Sequence, residues 1–219
     1  MIKQLEVSGR KSFDDFGLLI SSRKISQPKK KIIKQEIPFS NIVYDFSKIN
    51  GEIYWDEREL TYTFDIAENS TEEMERIKSE VYDWLMNIHD EDIFDPYISN
   101  FHFHGSFDGE SWDEDFGQGV IEVSFIVYPY MIANEETNEV LDFHTVDEVS
   151  ITVENKSSHR IIPEITVVLT EKEIEFNGVK YSLDVGVHTL SDFYLEPGIN
   201  EMKVSGGGSM ILRYREERF

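Results

Sequence analysis

The chain has 219 residues, no cysteine, and a formal net charge of -22 from 21 Lys/Arg against 43 Asp/Glu. That length suffices for two modest cores, and the missing cysteine excludes disulfides, thiolate metal sites and a cysteine nucleophile. Residues 1–50 hold ten Lys/Arg against five Asp/Glu, residues 51–150 three against twenty-seven, and residues 151–219 eight against eleven, and so acidic a middle repels phosphate backbones and argues against sequence-specific nucleic-acid binding.

No apolar run approaches the roughly 20 residues of a spanning helix, and the first residues lack a signal-peptide core. A soluble protein made in the cytoplasm, without membrane contact, is expected. Residues 2–7 and 18–25 alternate as strands, with Gly17 as punctuation between them. From about 28 to 49 the lysines at 29, 30, 31 and 34 border the apolar pieces Ile32-Ile33 and Ile42-Val43-Tyr44. That pattern suits an exposed hairpin or arm; lysine on its rim equally suits protection of an edge strand. Leu60, Tyr62, Phe64 and Ile66 then recur with strict period two, which predicts a strand.

Ser70 and Glu73 have capping-box spacing, and Met74, Ile77, Val81, Trp84, Leu85 and Ile88 follow at three- and four-residue intervals. An amphipathic helix over about 71–88, packed on a sheet, is predicted. Residues 97–104 and 120–128 read as strands flanking an acidic loop, 108–115. Pro129 and Tyr130 stop the second of these strands. The polar run from Ala133 to Asn138 is the best linker, which divides the chain into domains 1–137 and 138–219. Beyond it only strands are visible, at 149–153, 162–169, 173–176, 179–183, 199–204 and 209–214. Asn177-Gly178, Pro197-Gly198 and Gly206-Gly207-Gly208 supply turns, and the spacing predicts a small β-sandwich.

Signals for chemistry are sparse. His102 and His104 share a strand face and would need a carboxylate from residues 108–115 to hold a metal. The acidic stretch lacks the sixth-position glycine and twelfth-position glutamate of an EF-hand. Nucleophile elbows, HExxH helices, phosphate loops and dinucleotide fingerprints are missing, and Gly206-Gly207-Gly208-Ser209 has no P-loop lysine. No catalytic residue, metal site or cofactor is assigned, and an enzyme is not expected.

Six stretches fall in a fixed order: Ser12-Phe13-Asp14-Asp15-Phe16-Gly17-Leu18; Ser26-Gln27-Pro28-Lys29-Lys30-Lys31; Asp45-Phe46-Ser47; Tyr54-Trp55-Asp56-Glu57-Arg58; Phe125-Ile126-Val127-Tyr128-Pro129-Tyr130; and Leu195-Glu196-Pro197-Gly198-Ile199-Asn200 with Tyr214-Arg215. In order and spacing the chain resembles the distal tail proteins of long-tailed bacteriophages and prophages. The landmarks are Ser12, Asp15, Gly17, Leu18, Pro28, Asp45, Phe46, Tyr54, Arg58, Pro129, Tyr130, Pro197, Gly198 and Asn200.

The resemblance implies a mainly β protein. Its α+β N-terminal domain would be a β-sandwich with one helix and an extended arm, followed by a smaller galectin-like β-sandwich. The arm, carrying Lys29, Lys30, Lys31, Ile32, Ile33, Lys34, Ile42, Val43 and Tyr44, would embrace the next subunit of a homo-oligomeric ring, a hexamer. That ring would join the tail tube to the baseplate or tail fibre of the virion and leave a channel for DNA. Its partners would be the tail tube protein, the tape measure protein and a tail-associated fibre or baseplate protein. The alternative is a glycan-binding β-sandwich module of a virion or secreted protein. All three tryptophans, at 55, 84 and 112, precede the linker, so the C-terminal domain lacks the best sugar-stacking residue.

Overall fold

The computed structural model describes residues 2–47, 53–67, 70–115 and 118–219. The chain is mainly β and forms two compact units: one runs to Met131 and includes Phe219, the other is Ile132–Arg218. Half of the expected linker is strand, because strands occupy Met131–Ala133 and Thr137–Phe143 and leave only Asn134, Glu135 and Glu136 between them.

In the first unit β1 (Glu6–Val7) and β2 (Arg10–Lys11) form a tight hairpin around Ser8 and Gly9, both at positive φ. Such two-residue turns match the twist of paired strands. They replace the longer strand expected over 2–7. After β3 (Leu19–Ile25) come the small strands β4 (Lys34–Glu36) and β5 (Val43–Asp45), which pair only with each other. β6 (Arg58–Ala67) bears the alternation read from the sequence, burying Leu60, Tyr62, Phe64 and Ile66.

Helix α1 (Thr71–Leu85) begins where Ser70 Oγ accepts from Glu73 N at 3.2 Å. The return half of a capping box is replaced: Glu73 instead engages Arg76. Met74, Ile77, Val81, Trp84 and Leu85 are its buried stripe. The helix stops three residues before Ile88, which is buried in a following turn through Ile88 N to Leu85 O at 3.0 Å. β7 (Glu91–Phe94), β8 (Phe101–Asp115) and β9 (Gln118–Val127) complete the unit. The sheet path is β2-β1-β7-β8-β9-β6-β3, and its core includes the helix stripe, Phe103, Ile121 and Phe125.

Residues 108–115 are therefore not a loop. They are the second half of β8, paired with β9 from Gly109↔Ser124 to Asp115↔Gln118 after a bulge at Phe107/Gly109. Strand pairing overrides the poor β-propensity of acidic residues wherever their side chains reach water or a cation. Glu114 illustrates this, meeting Lys78 of α1 at 2.6 Å while Lys78 Nζ lies over the Trp112 ring.

The second unit is a β-sandwich. After β10 (Met131–Ala133) and β11 (Thr137–Phe143) come β12 (Val149–Asn155), β13 (Glu164–Val168), β14 (Lys172–Phe176), β15 (Val179–Leu183), β16 (Gly186–Thr189), β17 (Gly198–Ser205), β18 (Gly208–Tyr214) and β19 (Glu217–Arg218). Two four-stranded sheets, β11-β18-β13-β16 and β12-β17-β14-β15, enclose one core that includes Ile165, Ile174, Phe193, Val204 and Leu212. Asn177 and Gly178, at φ 51° and 78°, make the tight turn between β14 and β15.

Candidate interaction surface: the ribbon and its root

Between β3 and β6 the chain leaves the main sheet as a ribbon. At its root Pro28 is buried, Asp56 N donates to Lys29 O at 2.8 Å, Lys30 pairs with Trp55, and Lys31 N donates to Tyr54 O at 2.9 Å. Farther out, Lys34↔Asp45, Gln35↔Tyr44 and Glu36↔Val43 are in register. The stretch Asp45-Phe46-Ser47 closes this ladder. Ser47 N bonds Asp45 Oδ1 at 2.9 Å, Ser47 Oγ accepts from Ile33 N at 2.9 Å, and Phe46 N bonds Ile33 O at 2.8 Å.

Alternation along this ladder sets two faces. Ile33, Gln35, Ile37, Ile42, Tyr44 and Phe46 share one, with the Tyr44 and Phe46 rings stacked at 6.1 Å. Ile32, Lys34, Glu36, Val43 and Asp45 share the other. Ile32, Ile33, Ile42, Val43, Tyr44 and Phe46 are all exposed, as is Phe39 at the tip, held at φ 63°. A two-stranded ribbon with an apolar face and no core beneath it is an unusual expanse of uncovered hydrophobic surface. Lys29, Lys30, Lys31 and Lys34 are also exposed; Lys30 Nζ lies 5.9 Å over the Trp55 ring. Lys48 and Ile49, at the end of the expected arm, lie outside the described residues.

The other landmarks hold the fold locally and are spread over both units. Ser12 is buried, with Ser12 Oγ accepting from Leu5 N at 3.1 Å and Ser12 O from Leu18 N at 2.9 Å. Asp15 Oδ2 accepts from Lys11 N at 2.6 Å, and Gly17 turns at φ 71°. Pro129 is buried, and the Tyr130 ring lies 4.8 Å from that of Phe219, which in turn meets Trp55 at 4.8 Å. In the second unit the Asn200 side chain closes the Pro197-Gly198 turn, donating to Glu196 O at 2.8 Å and Gly198 O at 3.0 Å. Tyr54 stands exposed at the ribbon's root, and Arg58 is buried beside it in sequence.

His102 and His104 do converge on a carboxylate, but it comes from β7. Asp92 Oδ1 lies 2.8 Å from His104 Nδ1 and 3.3 Å from His102 Nε2, while His104 Nε2 lies 3.0 Å from Asp90 Oδ1. The donors expected from residues 108–115 are carried away because that stretch continues the strand. Among the described residues no group of three or more His, Asp or Glu is arranged to hold a metal ion. A shallow depression on the β12-β17-β14-β15 sheet is lined by Ser150, Thr152, Glu175, Asn177, Glu201 and Lys203 among others, with no aromatic ring. No helix among the described residues is long and apolar enough to cross a membrane.

No family model matches the chain, and no curated protein does. Among solved structures, the crystal structure of SPP1 Dit covers 99% of this chain and 99% of its own, with a TM-score of 0.72 at 14% sequence identity. SPP1 Dit is presented as a paradigm of the hub adsorption apparatus in phages that infect Gram-positive bacteria. At that identity the likeness is one of fold. Over its whole length, then, this chain has the fold of the phage hub protein SPP1 Dit.

Proposed function

We propose that this protein is a structural subunit of a phage tail tip, a hub on which the adsorption apparatus is mounted. The observation that carries the reading is the fold likeness to SPP1 Dit across both units, 99% of each chain. In this reading the first unit forms a hexameric ring, and the ribbon is the arm that each copy lays on the next. A contact of that kind is heterologous and must close into a ring or run on as a filament. The exposed apolar face of the ribbon supports the role, since it has chemistry for a protein surface and none for catalysis.

The ring would join the tail tube to the baseplate or fibre, with a channel for the tape measure protein and DNA. The second unit, two four-stranded sheets over one core, is the part read as galectin-like. Its depression offers no stacking ring for a sugar, so the hub reading is preferred to glycan binding. Negative-stain imaging and mass photometry test the proposal. A holed ring about 100 Å across is expected from six small-domain subunits. A monomer at tens of micromolar, together with native particles that show no ring, would overturn it.

A further inference from the structure

Three cations lie between residues 51 and 150, and two of them are answered by carboxylates. Arg76 sits between Glu73 and Glu80 at 2.5 Å each, and Lys78 reaches Glu114 at 2.6 Å. The third, Arg58, opens β6 and is 3% exposed. Its Nε and Nη2 have no hydrogen-bond partner among the described residues. Burial pushes its pKa down to about 10, which still leaves it charged at neutral pH. A buried charge with no counter-charge is strongly destabilising.

The two open nitrogens are adjacent on the guanidinium. Nε–H and an Nη2–H point the same way along one edge of the plane, the fork that takes both oxygens of a carboxylate. Phe103 orients that plane, its ring centroid 4.8 Å from Cζ, and the ladder fixes Arg58 opposite Val127. A phosphate would match the same fork, but it carries more charge into the most acidic part of the chain. The edge is closed to bulk solvent, so a carboxylate enters only by displacing what covers it. Association between proteins drives such a displacement readily; a free carboxylate drives it only by mass action at high concentration. Arg58 also follows Asp56, the residue that closes the ribbon's root, by two positions.

We propose that the Nε–Nη2 edge of Arg58 is a binding site for a carboxylate delivered by a second copy of this chain. The donor's identity rests on the hub reading above, in which a neighbour engages the ribbon and brings its own share of 43 Asp/Glu to the root.

The test uses the full chain with Arg58→Met, which keeps bulk without charge, and Arg58→Lys, which keeps charge without the fork. In dilute monomer, Arg58→Met is expected to unfold a few degrees above wild type, because an unpaired buried charge has been removed. In light scattering its self-association is expected to weaken by roughly 30-fold or more, with Arg58→Lys weakened as well. Association of Arg58→Met equal to wild type would overturn the proposal. If wild type stays monomeric at about 100 µM, the solution half of the hub test has failed independently of Arg58. Melting in about 0.2 M acetate against chloride then decides the site. A rise confined to wild type keeps a carboxylate site and overturns the second-copy donor; no rise overturns both.

Discussion

Tyr62 donates its hydroxyl proton to Asp95 Oδ2 at 2.7 Å inside the first core. The other oxygen of that carboxylate takes Arg23 Nη1 at 2.5 Å and Tyr97 N at 2.8 Å. Three parts of the chain, β3, β6 and the turn after β7, are thereby tied at one buried group. Burial, with the Asp95 charge and hydrogen bond adding to it, pushes the Tyr62 hydroxyl far above its ordinary pKa, so it remains a donor.

Tyr62→Phe keeps the ring beside Phe64 and Phe125 and removes only the donor. The expected loss is about 1.5–3 kcal/mol, the range for a hydrogen bond to a charged group. Trp55, Trp84 and Trp112 all lie in the first unit, so their fluorescence in a urea titration reports on that unit. An unchanged midpoint would show that Arg23 and Tyr97 hold the carboxylate unaided.

Two glycines of the second unit separate conformational strain from steric collision. At Gly206, φ is 102° and an added Cβ would fall 2.3 Å from Glu171 O, whereas at Gly178, φ is 78° and nothing lies within 4 Å. Gly178→Ala is expected to lower stability by about 1 kcal/mol. Gly206→Ala adds a backbone clash and is expected to exceed about 2 kcal/mol. Calorimetry of the two variants checks the order; equal losses would refute the steric part.

His104 lies between two carboxylates. Partial burial disfavours its charged form, but hydrogen bonds to Asp92 and Asp90 outweigh this, so its pKa is raised. A raised folded pKa contributes stability fully below the unfolded value of about 6.5, and that stability fades as pH rises through the folded pKa. The ring is about a third exposed, which limits the effect to below about 1 kcal/mol. His104→Gln is expected to melt below wild type at pH 5.5, with the gap narrowing by pH 8.5. A gap independent of pH would assign the loss to packing.

The ribbon's lysines face solvent, and each copy also carries the acidic segment 51–150. Replacing Lys29, Lys30, Lys31 and Lys34 with glutamate is expected to weaken ring formation more than the same changes to alanine, and salt at about 0.5 M is expected to weaken the wild type. Light scattering at two ionic strengths measures both. Indifference to charge and salt would leave attachment to Ile33, Ile42 and Tyr44 and the lysines to edge protection.

Strict periods were the legible part of this fold. β6 and the stripe of α1 follow directly from residues whose spacing matches one burial face, and Asn177-Gly178 demands a turn with positive φ at both positions. The acidic half of β8 was hidden because composition there speaks of solvent, while the pairing partner that makes it a strand lies in β9. β16 was hidden for a related reason, since its partner strand β13 precedes it by some twenty residues and its own Gly186-Val187-His188-Thr189 is short. The ribbon was visible as an oddity, lysines bordering apolar pairs. Arg58 was visible only as a landmark, because a charged side chain is ordinarily read as exposed, and only the folded chain shows it sealed and unanswered.

The ribbon of β4 and β5 rests on three paired positions and no core, so its amides have little beyond their own ladder to keep solvent hydrogen out. They would exchange within the earliest deuterium time points in a lone chain and slow sharply once a neighbour covers the apolar face. Protection at residues 34–45 would thus serve as a clock for assembly, timing the closure of each contact without a label or an image.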